Sequence, residues 1–133
     1  MGDIIKMLEE ATGGSRELDA EICRIAYWES DGYFSDQDDH GEWFIYSYRF
    51  GGTAIPKEPL PHYTTSLDAA LTLVPEGWTS KQIFITGAGS KARLKRPSPY
   101  ALVAPMESYE RDRLVATPAL ALCVAALKAR EAS

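Results

Sequence analysis

The sequence predicts a single α+β domain spanning residues 1–133, arranged as an α/β/α sandwich with a mostly antiparallel sheet of four to six strands between helical layers. Three observations carry this expectation. Apolar residues recur at helical spacing near both ends of the chain, and short aromatic or β-branched runs bounded by Gly and Pro fill its middle. The chain has 133 residues, the commonest size for one domain. Its 45% hydrophobic and 25% charged content is that of a globular protein, not of a disordered tail, and about two-thirds of its surface can be buried.

Ile4, Ile5, Met7, Leu8 and Ala11 form a helical stripe over 3–12, which Gly13 and Gly14 end. Ser15 suits the N-cap of a second helix, 16–28, with Leu18, Ile22, Ile25 and Ala26 along one face. Glu17, Asp19 and Glu21 lie near its start, where the helix dipole favours negative charge. A polar loop is expected over 29–42. Residues 43–50, Trp-Phe-Ile-Tyr-Ser-Tyr-Arg-Phe, read as a strand stopped by Gly51 and Gly52. Pro56, Pro59 and Pro61 exclude a regular helix and predict an extended connection. Thr65, with Asp68 three residues on, fits a capping box that opens a helix through Val74. Residues 81–86 and 92–96 read as strands joined by a turn at 87–90, and Tyr100 to Ala104 as another. Thr117 as N-cap and Pro118 at the first helical position open the last helix, to Arg130. Its apolar residues occupy more than one stripe, so it is expected to be buried around most of its circumference.

The net charge of −5 is unevenly spread. Residues 1–62 carry 13 acidic and 5 basic side chains, whereas 63–133 carry 6 and 9. An acidic chain is a poor non-specific binder of DNA or of anionic membrane, so neither long nucleic acid nor a membrane is an expected partner. No apolar run reaches the roughly 18 residues of a membrane span. The N-terminus lacks the basic start and apolar stretch of a signal peptide, which predicts a cytoplasmic protein. Two cysteines, Cys23 and Cys123, support neither a disulfide framework nor a cysteine metal cluster.

Little in the chain points to catalysis. Nucleophilic chemistry needs a nucleophile, a base and an orienting group, and the only histidines are His40 and His62. His40 lies in a hydrophilic stretch, and His62 precedes a helix N-terminus, where a neutral imidazole could bond a ligand or the backbone. Residues 36–41 resemble half of a calcium loop, but His40 occupies the fifth position and Ser47 the twelfth, so no metal is expected. Gly87 to Lys91 lacks the spacing of a phosphate loop. The strand after it is more informative. Lys91, Arg93 and Lys95 alternate onto one face, with Ala92, Leu94 and Arg96 on the other. Cations gathered in this way suit phosphate, and aromatic rings suit bases. The candidate ligand-binding residues are therefore Lys91, Arg93, Lys95, Arg96, Tyr100, Trp78 and His62, with no catalytic residue and no cofactor.

Residues 16–22 (Arg-Glu-Leu-Asp-Ala-Glu-Ile), 61–78 (Pro-His-Tyr through Gly-Trp) and 116–130 (Ala-Thr-Pro through Ala-Arg) together resemble the phage ABA (α-β-α) sandwich domains. The resemblance spans 16–131, although 29–60 and 79–115 share little beyond strand-like texture. It implies a sheet layered between helices in a phage or prophage protein, and it carries over no catalytic residue. Joined to the basic cluster, it leads to the expectation of a non-enzymatic phage accessory protein that sequesters a nucleotide-derived immune signal. Its partner would be a small phosphorylated or nucleotide ligand. The aromatic strand 43–50 needs a covering layer, so a homodimer or higher homo-oligomer is expected. The alternative is an interaction module that docks a host or phage protein through its acidic loop, 29–42.

Overall fold

The computed structural model describes residues 2–26, 33–48, 54–78, 80–96, 107–110 and 114–132. Its elements in chain order are α1 (Gly2–Glu10), α2 (Arg16–Ala26), β1 (Tyr33–Gln37), β2 (Trp43–Tyr48), β3 (Ala54–Pro59), α3 (Leu67–Leu71), β4 (Ser80–Thr86), β5 (Gly89–Arg96), β6 (Glu107–Glu110) and α4 (Pro118–Ala132). The α+β class is observed, and every strand pairing among the described residues is antiparallel. The strands divide into two three-stranded sheets, β1-β2-β3 and β4-β5-β6, where the sequence led us to expect one.

Helix α4 explains the division. Every residue from Ala119 to Leu127 is buried, as is Ala129, so the helix is covered on nearly all sides. It packs on β4, β5 and β6 and also on α1 and α3, which places it between a sheet and a pair of helices. Thr117 caps it, since its Oγ1 accepts from the Leu120 N–H at 3.2 Å. The sheet β1-β2-β3 packs instead against α2, with Ile45 of β2 fully buried.

Other departures are local. The region expected to be a polar loop contains β1, because Phe34 pairs with Tyr46 and stacks on it at 5.3 Å between ring centroids. What remains is a tight hairpin turn, in which Asp38 Oδ1 accepts from the His40 and Glu42 N–H groups, both at 2.9 Å. The proline-rich connection is strand β3, on the edge of its sheet, where proline's missing donor costs nothing. Helix α3 is capped by Ser66, whose Oγ accepts from the Ala69 N–H at 3.3 Å, not by Thr65 one residue earlier. The strand expected at 100–104 lies outside the described residues.

A buried polar clasp joins distant parts of the chain. Asp19 is fully buried, and its Oδ1 accepts from the Thr64 N–H (2.8 Å) and the Thr64 hydroxyl (2.6 Å). Its Oδ2 accepts from Arg16 Nη1 at 2.7 Å, and Arg16 Nη2 donates to the Leu60 carbonyl, also at 2.7 Å. Ser15 N–H donates to Thr64 Oγ1 at 3.0 Å. Gly14 allows this approach, because a Cβ there would stand 2.5 Å from the Thr64 carbonyl oxygen. Two of the stretches that carry the resemblance, 16–22 and 61–78, therefore supply the two halves of one structural clasp.

Candidate functional site: the outer face of the second sheet

The two-residue turn Gly87-Ala88 sets the register of this face. Thr86 pairs with Gly89, and the Thr86 hydroxyl donates to the Gly89 carbonyl at 2.8 Å. Gly89 has φ +142°, and a Cβ there would lie 2.7 Å from the Val115 carbonyl oxygen, so the position demands glycine. Ser90 and Val115 exchange backbone bonds of 2.7 Å, which tie the hairpin to the entry of α4.

From this register the rest follows by alternation. Ala92 and Leu94 are buried against the core, so Lys91 and Arg93 project from the opposite face, where both are half-buried. Phe84 pairs with Lys91 across the hairpin, and Gln82 with Arg93. Lys91 Nζ lies 5.3 Å from the centroid of the Phe84 ring and Arg93 Cζ 5.6 Å, both within cation–π range. The ring is 38% exposed, unusual for phenylalanine, so the face offers a solvent-accessible aromatic surface beside two cations. On β6, Glu110 takes the register position opposite Arg93 and Ser108 that opposite Lys95.

The other expected site residues fare differently. Lys95 and Arg96 lie at the end of β5, Lys95 at the register parity of Lys91 and Arg93 and Arg96 at that of Ala92 and Leu94, and their side chains are outside the described residues. Tyr100 is outside them altogether. Trp78 is only 3% exposed and belongs to the core, so it cannot stack on a ligand that arrives from solvent. It follows Gly77, at φ +96°, and the turn directs its ring inward. His62 is exposed in the clasp loop, where its carbonyl accepts from the Thr65 and Ser66 N–H groups. Phe84 was not among the candidates, yet it supplies the aromatic component of the face.

The buried Asp19 and Cys123 are held in structural contacts. Asp19 spends its carboxylate on three donors. The Cys123 thiol donates to the Tyr63 carbonyl at 3.1 Å, and burial, with the Asp19 charge second, pushes it far above the ordinary value of 9.0. Burial also raises Cys23, against a lowering hydrogen bond from Ser35. Among the described side-chain hydrogen bonds, none joins a serine or threonine hydroxyl or a cysteine thiol to a histidine ring. Among the described residues no three His, Cys, Asp or Glu side chains cluster to hold a metal, and no helix is long and apolar enough to cross a membrane. Behind the basic face, a cavity of about 10 Å³ between β5 and α4, lined by Ser90, Ala92, Val115 and Ala121 among others, has room for one water.

Fold and site together define a small α+β protein that presents a cationic and aromatic sheet surface. No family model, curated protein or solved structure matches the chain.

Proposed function

We propose that this protein is a non-catalytic binder of a small nucleotide-derived anion, held on the outer face of β4 and β5. The observation that supports it most is the grouping of Lys91 and Arg93 around the exposed ring of Phe84. Phosphate oxygens would bond the Arg93 guanidinium and the Lys91 ammonium, and a base stacked on Phe84 would add about 1–3 kcal/mol. In the phage setting that the resemblance implies, such a protein acts as a sponge. It sequesters a nucleotide-derived immune signal in the cytoplasm of a bacterial host, which requires tight binding and no turnover. The same reading has it work as a homodimer.

Calorimetry against cyclic oligonucleotides and ADP-ribose derivatives tests this directly. At least one compound should bind, and chromatography after denaturation should return it intact. The Lys91→Ala/Arg93→Ala variant should weaken that binding at least tenfold, about 1.4 kcal/mol. No binding across the panel, or equal binding by the variant, removes the proposal.

A second reading draws on the other sheet. Tyr46, Phe34 and Phe44 form an aromatic group on β1 and β2, with Phe44 edge-on to Tyr46 at 6.4 Å. Partial burial, and then the carboxylates of Asp38, Asp36 and Asp39, raise the Tyr46 hydroxyl, so acid and ring share one neighbourhood. A basic protein segment suits that chemistry. Asp36→Asn/Asp38→Asn/Asp39→Asn should abolish partner capture under this reading and leave nucleotide binding intact under the first.

A further inference from the structure

Four strand edges are open among the described residues: β1 and β3 in one sheet, β4 and β6 in the other. An open edge is a row of backbone donors and acceptors ready to pair with another chain, and stable monomers guard it with charge or proline. Three of the four are guarded in that way. Strand β3 carries Pro56, Lys57, Glu58 and Pro59, β6 begins and ends in glutamate, and β1 holds an exposed Asp36. Strand β4 differs, because after Lys81 its residues Gln82-Ile-Phe-Ile-Thr86 include no charge and no proline. It also carries Phe84 at 38% exposure and Ile85 at 70%, the most exposed large hydrophobic among the described residues.

We propose that β4 pairs antiparallel with β4 of a second copy, joining two three-stranded sheets into one of six strands. The occupant is a second copy because the strand is complementary to itself. With the two-fold axis beside Phe84, Ile85 meets the second copy's Ile83, Gln82 meets Thr86, and Phe84 meets its own counterpart. Lys81 then falls opposite Gly87, so no like charges are opposed within the ladder. Ile83 already packs partly on the core, so each Ile85 gains a fixed apolar neighbour in place of water. The pairing also sets the two Phe84, Lys91 and Arg93 groups side by side. The inference rests on the dimeric reading for its partner and is independent of which ligand the face takes.

Light scattering after size exclusion at micromolar concentration should give about twice 14.7 kDa for the wild type. Ile85→Lys, at a position too exposed to disturb folding, should give a monomer with unchanged circular dichroism and melting temperature. Phe84→Cys should form a disulfide-linked dimer under mild oxidation, and the buried native thiols should stay silent. A monomeric wild type overturns both the dimeric reading and this edge. A dimer that persists in Ile85→Lys overturns the edge alone, and a dimeric Phe84→Cys that does not cross-link overturns the register. Each of these results is separate from failure of nucleotide binding.

Discussion

Removal of the Asp19 carboxylate should be among the most damaging single changes to this fold. Asp19→Ala takes away the acceptor of three bonds, from the Thr64 N–H, the Thr64 hydroxyl and Arg16 Nη1. The carboxylate is fully buried, so water cannot replace it at the Thr64 amide. Breaking a buried pair by deleting one partner costs about 3–5 kcal/mol, most of it the desolvation of what is left behind. Arg16 is partly exposed and keeps the Leu60 and Pro61 carbonyls as acceptors, which places the expected loss at the lower end. Asp19→Asn should cost less, since its carbonyl oxygen still serves Thr64 while its amide group opposes Arg16. Urea unfolding followed by circular dichroism is the assay, with Thr64→Val and the double variant completing a cycle. Coupling between the two sites should fall within about 0.5–3 kcal/mol, as for residues of one network. A loss below about 1 kcal/mol in Asp19→Ala would refute the clasp as a structural element, because an orphaned buried donor alone should exceed it.

The neighbouring glycines should separate sharply by thermal melting: Gly14→Ala drives a Cβ to 2.5 Å from the Thr64 carbonyl and should cost about 1–3 kcal/mol, while Gly13→Ala meets nothing within 4 Å and should be neutral or slightly stabilising. Thr117→Ala removes the cap of α4 and should cost about 1 kcal/mol, so an unchanged melting temperature would contradict that cap. Stability should also fall with rising pH above the ordinary thiol value of 9.0. Below it both folded and unfolded chains hold the Cys23 and Cys123 protons; above it the unfolded chain ionises more readily than the folded one, and that linkage favours unfolding. Cys123→Ala should flatten this alkaline slope, measured by urea titrations at several pH values, and a slope unchanged in the variant would assign it to other groups.

What could be read in the chain was what neighbouring residues decide. Thr117-Pro118 before an alanine- and leucine-rich run locates α4, and Ser15 locates α2, because capping is settled within four residues. Even there α3 is capped by Ser66 where Thr65 was expected, since both side chains are competent and the tertiary path of the chain chooses. Strand β1 was missed because Asp36 to Gly41 reads as loop, whereas Phe34 earns its strand from Tyr46 on the next strand. The clasp could not be seen at all, since Asp19 and Thr64 are 45 residues apart in sequence. Within the candidate site the alternation of Lys91 and Arg93 against Ala92 and Leu94 was legible, because a strand's period is local. Phe84 was reachable too: a two-residue turn at Gly87-Ala88 sets it opposite Lys91, and that register had only to be counted. Trp78 was misplaced because an aromatic residue after a turn looks alike whether it points into the core or out of it.

The claim at the centre is that the outer face of β4 and β5 receives the ligand. Backbone amide chemical shifts, followed by NMR while a bound nucleotide from the panel is titrated in, test it most directly. The largest changes should fall on Gln82, Phe84, Lys91 and Arg93, with Asp36, Asp38 and Tyr46 unmoved. Changes concentrated on β1 and β2, with 82–93 silent, would contradict it.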